Sequence, residues 1–316
     1  MQSLAPIAAT LVTRFRRQRP LRAGSLIVTL FGDSIMPRGG AISLGSLIRL
    51  AAPFGLNERL VRTAAARLAA EGWLEARRVG KLSEYQLSGS GRERFLEATQ
   101  RIYGEPAPWS GRWTLIVLPA TPAAERHRLR KELTWRGFGE LSPGIFAHPE
   151  PSAARRRGTL GRRAPGRPPM RAIAGDRPAP GTLILEAALE EPAACAQLVD
   201  RGWDLEELAQ GYRRFARRFL GVSAAVRARR IDPESGFIVR TLLIHEYRRL
   251  HLRDPLLPTR LLPADWPGNA AARLCREIYG GVLATSESYL SATAVRLQGA
   301  LPPPGASLSR RFGGVA

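Results

Sequence analysis

Residues 56–87, LNERLVRTAAARLAAEGWLEARRVGKLSEYQL, predict one amphipathic helix followed by two short strands. Asn57 stands where a helix N-cap is expected, and Leu56 and Val61 have the spacing of a hydrophobic staple. At about 100° per residue, one side of the helix is predicted to carry an apolar stripe of Leu60, Val61, Ala64, Ala65 and Leu68. The other side combines arginines with small residues. That composition suits the major groove of DNA, because guanidinium groups reach base edges and phosphates.

The neighbouring segments complete a DNA-binding pattern. One helix is predicted to begin at Ser25 and stop at Gly32, and a second runs from the cap Ser43 to Pro53. Three helices followed by a basic hairpin is the order of a winged helix-turn-helix. The alternative is an ordinary solvated basic face. The candidate DNA-binding residues are Asn57, Arg59, Arg62, Thr63, Ala66, Arg67, Arg77, Arg78 and Lys81.

The overall charge points to a polyanion partner or an anionic membrane surface. The 316 residues include 48 Lys and Arg against 27 Asp and Glu, a net charge of +21. No apolar run approaches the length of about 18 residues that a transmembrane helix needs, so we expect no membrane association. Cys195 and Cys275 lack metal-ligand spacing, and we expect them to be buried fillers in a cytoplasmic protein.

Changes in composition predict the domain organisation. Stretches rich in Pro, Gly or Arg separate helical and strand-like segments, and such stretches bury little apolar surface. The predicted order is a basic N-terminal arm at 1–23, a winged-helix domain at 24–105, a central domain at 109–200 with an Arg/Pro-rich loop at 151–181, a mainly helical domain at 201–300 and a flexible tail at 301–316.

The central segment predicts part of a βαββαβ unit. RWTLIVLP (112–119) is strand-like, AAERHRLRKELTWRGF (123–138) is helical, and GELSPGIFAHP (139–149) is a second strand. A metal-dependent nuclease of this fold needs a carboxylate at the end of the first strand. The strand ends in Leu118, Pro119 and Ala120 instead. A nuclease therefore stays an alternative function, and we predict neither catalytic residues nor a metal site.

Several stretches, taken together, resemble PaaX-type transcriptional repressors. They are SLIVTLFGDSIMPRGGAISLGSLIRLAAPFGLNERLVRTAAARLAAEGWLEARRVG (25–80), WSGRWTLIVLP (109–119), LSPGIFAHP (141–149), WDLEELAQGYRRF (203–215) and LLIHEYRRLHLRDPLLPTRLLPADWPG (242–268). The resemblance implies an α+β protein with a winged helix, a central ferredoxin-like domain similar to a small CRISPR-associated nuclease, and a mainly helical C-terminal domain.

The resemblance also implies a function. It implies repression of a phenylacetate-type catabolic operon, relieved by an aryl-CoA thioester such as phenylacetyl-CoA, in a protein that is neither an enzyme nor dependent on a cofactor. We expect a homodimer on the inverted repeat of a double-stranded operator. A regulator of this family that senses a different acyl-CoA is the alternative.

The segment FIVRTLLIHEYRRLHLR (237–253) is apolar almost all round, as in a helix buried within a domain. Its stripe of Glu246, Arg249 and Arg253 predicts either a salt-bridged brace or an anion pocket for the CoA effector, with Trp266 or Trp203 as an apolar wall. A zinc site does not fit the spacing of its histidines. The candidate ligand-binding residues are His245, Glu246, Arg249, Arg253 and Trp266.

Overall fold

The computed structural model describes residues 3–18, 20, 22–104, 108–152, 181–189, 191–228 and 230–314. Most of the Arg/Pro-rich loop predicted at 151–181 therefore lies outside the described residues. The chain folds into two compact units. Unit 1 comprises residues 1–104, 213–249 and 268–316, and unit 2 comprises 105–212 and 250–267. The finer domain boundaries given above stay predictions.

The secondary structure mixes helices with short antiparallel sheets. The helices are α1 (Ala5–Arg16), α2 (Ala23–Leu30), α3 (Leu44–Ala51), α4 (Glu58–Ala70), α5 (Gly89–Tyr103), α6 (Ala123–Trp135), α7 (Pro192–Gly202), α8 (Leu205–Ala228), α9 (Pro233–His251) and α10 (Pro267–Thr293). The strands are β1 (Ala41–Ser43), β2 (Leu74–Val79), β3 (Leu82–Leu87), β4 (Trp109–Val117), β5 (Gly139–Ser142), β6 (Ile145–Pro151), β7 (Leu183–Ala188), β8 (Val295–Arg296) and β9 (Gly299–Ala300). Among the described residues, no helix combines the length and apolar composition that a membrane crossing requires.

In unit 1, helices α2 and α3 pack against α4, and a three-stranded antiparallel sheet of order β1-β3-β2 follows. The two predicted caps are confirmed. The backbone N–H of Ser46 donates to the Ser43 hydroxyl at 3.2 Å, and that of Leu60 donates to Asn57 Oδ1 at 2.9 Å. These bonds satisfy backbone donors that the first turn of each helix would otherwise leave unpaired.

Helix α2 differs from its prediction at both ends. It begins at Ala23 rather than Ser25, and it continues past Gly32 as a π-helical turn, Phe31–Ile35. Gly32 therefore has a packing role instead of ending the helix. A Cβ at this position would lie 3.0 Å from the Phe95 ring.

Both ends of the described chain pack into unit 1. Helix α1 buries Leu11 and Phe15, although the sequence predicts only a basic arm there. The tail predicted to be flexible buries Leu308 and Phe312. The edge of the Phe312 ring meets Tyr103 with the centroids 5.1 Å apart, so the tail contributes to the core.

The π-helical turn places the buried carboxylate of Asp33 at the centre of unit 1. Asp33 Oδ2 accepts a hydrogen bond from Arg240 Nε at 2.7 Å, and Oδ1 accepts from Arg311 Nη1 at 2.6 Å. The hydroxyls of Tyr103 and Tyr279 donate to the same Oδ1, at 2.6 and 3.0 Å. One side chain thus joins α5, α9, α10 and the tail.

Opposing effects set the protonation of this cluster. Burial acts to raise the pKa of Asp33, but the charges of Arg240 and Arg311 and the two tyrosine hydrogen bonds outweigh it, so the pKa lies below its usual value. Arg240 also pairs with Glu287, which in turn pairs with Arg38. The charges of Arg240 and Arg311 are therefore balanced by Asp33 and Glu287, and Arg38 shares Glu287 as a third arginine.

A second buried polar group in unit 1 is His245 on α9. Its Nδ1 lies 3.1 Å from the Thr29 hydroxyl, and Phe15 meets the ring edge-on. Among the described residues, its Nε2 has no hydrogen-bond partner. Burial lowers the pKa of His245 to about 3, and the charges of Arg248, Arg249 and Arg22 act in the same direction. The imidazole is neutral at physiological pH.

Unit 2 is built on a four-stranded antiparallel sheet of order β5-β6-β4-β7. The segment 139–149, predicted as one strand, forms the hairpin of β5 and β6, because Gly144 at φ 83 turns the chain. In GELSPGIF, the residues Ser, Pro and Gly between the two apolar ends are thus a turn signal that the prediction missed.

Both faces of this sheet are covered. Phe146 lies in a cluster with Leu133 of α6, and the next residue, Ala147, lies in a cluster with Cys195 of α7. Successive strand residues point to opposite faces, so each face has its own apolar core. Cys195 and Cys275 are both buried and free, as predicted, and burial raises the pKa of the Cys275 thiol well above its usual value.

We expect the substitution Asp33→Asn to destabilise unit 1 by about 3 to 5 kcal/mol, because Arg240 and Arg311 would stay buried without their carboxylate. The free energy of unfolding from urea titration measures this. Glu71→Gln removes an exposed carboxylate that is paired with Arg67, and as the control it should cost less than about 1 kcal/mol. Equal losses in the two variants would contradict the central role of Asp33.

We expect His245 to make the protein less stable in acid. Its pKa in the unfolded chain is near 6.5 and its folded value is lower, so the unfolded state binds the proton first and stability falls as the pH drops from about 6.5 towards 3. Between about pH 7.5 and 5.5, the free energy of unfolding of the parent should therefore fall by on the order of 1 kcal/mol more than that of the variant His245→Asn. Parallel stability curves for the variant and the parent would contradict this prediction.

Candidate nucleic-acid interface

Helix α4 exposes the face that the sequence analysis assigned to DNA. Val61, Ala65 and Leu68 are buried on its inner side. The prediction was wrong for Leu60, which is 40% exposed because it lies at the edge of the stripe in the first turn. Asn57 is the cap, and its side chain is used to hold the first turn. The exposed residues of the outward face are Arg59, Arg62, Thr63, Ala66 and Arg67.

Two arginines of this face are held by carboxylates of the same helix region. Arg62 pairs with Glu58 and Arg67 with Glu71, each at 2.7 Å and with four-residue spacing. The four-residue spacing of both pairs is a signal in the sequence that predicts them. All four side chains are largely exposed, so a phosphate can displace the carboxylates at little cost.

Arg59 differs from its neighbours on α4. Within the described part of the chain its guanidinium forms no ion pair, and it is exposed near the start of the helix. Its five donors are therefore available to an external acceptor. Thr63, one turn further on, adds a small polar side chain that permits close approach of the helix.

The hairpin of β2 and β3 carries the remaining candidates. Its two strands are joined by Gly80 and Lys81, and Gly80 adopts φ 60, a conformation that favours glycine. Arg77, Arg78 and Lys81 are exposed, and none forms an ion pair with another described residue. Helix α4 and the hairpin together therefore present four cations without an ion pair among the described residues, one on α4 and three on the hairpin.

The hairpin tip also has an apolar component that the sequence analysis missed. Val79 is 53% exposed and Leu82 is 63% exposed, on either side of the two-residue turn. Their exposure could have been predicted from their register, because they are the last pair before the turn. Apolar side chains beside a lysine suit contact with sugars or with a groove floor.

The candidate ligand-binding residues divide between the two units. His245, Glu246 and Arg249 belong to unit 1, whereas Arg253 and Trp266 belong to unit 2. Glu246 pairs with Arg218 of α8, yet burial keeps its pKa above the usual value. Within unit 1 the stripe thus includes the salt-bridged brace that was one of the two predictions.

Unit 2 contains a pocket of about 290 Å³ that includes one candidate residue, Arg253. Trp203, Phe138 and Leu208 supply its apolar wall. Arg253 pairs with Glu207 at 2.9 Å, and Arg130 pairs with Glu140 at 2.6 Å. The pocket thus combines an aromatic wall with two arginines, whose ion pairs are partly solvated, and a third carboxylate, Asp204. Trp266 instead packs edge-on against Tyr212, with the centroids 6.0 Å apart.

The central sheet offers no group that would hold a catalytic metal at the position a nuclease needs. Strand β4 ends at Val117, and Leu118 follows with its backbone N–H donating to Gly144. Among the described residues, no three His, Cys, Asp or Glu side chains lie close enough to bind a metal ion.

Comparisons with known proteins cover most of the chain. Family models match in three places: "PaaX-like protein" over residues 22–91, "PaaX protein central Cas2-like domain" over 106–164, and "PaaX-like protein C-terminal domain" over 203–292. The central match agrees with a mixed helix and sheet fold for unit 2.

Individual relatives extend this result. The transcriptional repressor PaaX of Escherichia coli (strain K12) is 36% identical over 299 residues, which cover 94% of this chain and 92% of that protein. The uncharacterized protein Rv0674 from Mycobacterium tuberculosis has a TM-score of 0.48 and 26% sequence identity, covering 77% of this chain and 89% of its own. The three family models and the identity along nearly the whole E. coli repressor show that this chain belongs to the PaaX family.

Proposed function

We propose that this protein is a DNA-binding transcriptional repressor whose α3, α4 and β2–β3 hairpin form a winged helix-turn-helix. The observation that carries the proposal is the exposed face of α4, where Arg59 is unpaired, together with the hairpin cations Arg77, Arg78 and Lys81. Guanidinium groups on a helix suit base edges in the major groove, and cations on a hairpin suit phosphates. The name of the E. coli relative supports repression as the outcome of binding.

The proposed repressor acts as a homodimer on an inverted repeat in the cytoplasm. Two protomers would present their α4 helices to successive major grooves about 10 base pairs, or a multiple of that, apart. We also propose a ferredoxin-like arrangement for the central sheet, which the order β5-β6-β4-β7 and its antiparallel pairing support. Residues 118–120, which follow β4, include no carboxylate, and this argues against the nuclease alternative.

The proposed regulon is a phenylacetate-type catabolic operon, and the proposed effector is an aryl-CoA thioester such as phenylacetyl-CoA. The pocket of unit 2 supports this effector. Trp203 offers an aromatic wall, and Arg253 can give up its ion pair with Glu207 and bind a phosphate of the thioester instead. An effector releases DNA only through a higher affinity for the state that does not bind the operator. A different acyl-CoA would use the same chemistry.

Arg59→Ala should weaken binding to the DNA upstream of the protein's own gene by about 1 to 3 kcal/mol and relax the base preference at one position of each half-site. Fluorescence anisotropy on the native fragment and on single-base variants measures both effects. Arg276→Ala, an exposed arginine of α10 without an ion pair among the described residues, is the matched control. If the affinity of Arg59→Ala for the operator is unchanged, the assignment of α4 to the DNA interface is wrong.

Phenylacetyl-CoA should release the operator, whereas free CoA and acetyl-CoA at the same concentration should not. Arg253→Ala should raise the concentration needed for half-release by about tenfold, the effect of roughly 1.4 kcal/mol of lost phosphate binding. Arg227→Ala, which removes another exposed and paired arginine, is the control. If no thioester weakens binding to the operator, the effector proposal is wrong and the DNA-binding proposal is unaffected.

A further inference from the structure

Helix α6 of unit 2 has a narrow inner side that is half polar. Leu133 is buried, Glu125, Leu129 and Glu132 are half-buried, and the other nine residues are exposed. At about 100° per residue, these four residues form a stripe about 100° wide, and the rest of the circumference is open to solvent. The charges on that open side therefore decide what it can bind.

The charges on α6 are segregated by sign. At about 100° per residue, Arg126, Arg130, Lys131 and Arg128 spread over one side, with His127 among them. The acidic residues Glu125 and Glu132 lie on the opposite side, next to the apolar stripe. The exposed side of the helix thus has no acidic residue.

Few of these cations are neutralised. Arg130 pairs with Glu140 of β5, but its side chain is 62% exposed. Within the described ranges, Arg126, Arg128 and Lys131 form no ion pair. The exposed arginines of α4, by contrast, include two that pair with glutamates four residues away. Glu132 of α6 pairs with Arg136 four residues later, so this carboxylate does not compensate Arg126, Arg128 or Lys131.

The shape of the surface suits a phosphate backbone. A shallow groove of about 470 Å³ runs beside α6, where Arg126, His127 and Arg130 face Ser142, Pro143 and the carboxylate of Glu140, which Arg130 neutralises. Trp135, at the C-terminal end of the same helix, is 44% exposed. The helix is roughly 20 Å long, which is the length of several phosphates along one strand.

We propose that α6 is a second contact surface for duplex DNA, which binds the phosphate backbone without reading its sequence. The proposal rests on the DNA-binding function argued above, and it adds a surface in unit 2 to the one in unit 1. Charge complementarity identifies the occupant, since an array of unpaired arginines and a lysine matches a regular polyanion. An anionic membrane fits less well, because such helices need a broad apolar face beside the cations.

The test removes three charges from α6 in the full-length protein. The variant Arg126→Gln/Arg128→Gln/Lys131→Gln keeps residues of similar helix propensity. The control variant Arg201→Gln/Arg260→Gln/Arg276→Gln loses the same net charge at exposed positions elsewhere, none of them ion-paired among the described residues. Far-ultraviolet circular dichroism checks that both variants fold like the parent.

Binding to a random-sequence duplex of about 40 base pairs is measured by anisotropy over a range of salt concentrations. Each lost phosphate contact should reduce the magnitude of the slope of log K against log salt by about 0.9. For the α6 variant, with three charges removed, we expect this slope to be smaller in magnitude by about 2 to 3. Its affinity near 0.1 M salt should be at least about tenfold weaker than that of the parent. The control variant should keep the slope of the parent.

The other outcomes are distinguishable. If the α6 variant keeps the parental slope while the parent binds DNA, the α6 proposal is wrong and the DNA-binding function stands. A change in oligomeric state with an unchanged slope would assign the face to a second copy of the chain and overturn the proposal as well. If the parent binds no duplex at all, the proposed function itself fails.

Discussion

The buried carboxylate of Asp33 is the interaction on which unit 1 depends. Its two oxygens receive two arginines and two tyrosine hydroxyls from helices α5, α9, α10 and the tail. A carboxylate with so many donors is stable in its charged form, and the guanidinium groups could not be buried without it. The turn that carries Asp33 directly follows α2, which packs against α4. The position of the proposed recognition helix is thus tied to a charge cluster rather than to apolar packing alone.

The large positive charge of the chain divides into two groups with different physical roles. Arg240 and Arg311 are buried and neutralised, so they contribute to folding and are hidden from a polyanion. Arg59 on α4 and Lys81 on the hairpin are exposed without an ion pair to any described residue. Net charge alone therefore overstates the surface available to DNA. Association with a polyanion depends on where the unpaired cations are concentrated.

Sequence reasoning succeeded where the determining interactions are local. The caps Ser43 and Asn57 bond to backbone groups three residues away, so the pattern of a few residues contains the information. It failed where partners are distant in the chain. Asp33 lies 207 residues before Arg240 and 278 before Arg311, and no local pattern links them. The candidate ligand stripe shows the same limit, because helical spacing puts Glu246 and Arg253 on one face without revealing what covers it.

The long sequence separation between Asp33 and Arg311 limits how unit 1 can fold during synthesis. Asp33 leaves the ribosome before its four partners, and Arg311 follows 278 residues later, so the charge cluster of unit 1 cannot be completed while the residues between them are being made. The strands β4, β5 and β6 of unit 2 pair within residues 109–151 and need no later segment to do so. Contacts of long sequence separation also form slowly. A nascent chain that does not yet extend to Arg311 would therefore hold an incomplete unit 1 while part of the sheet of unit 2 is already paired, and synthesis of the segment around Arg311 would be the step that lets the charge cluster form.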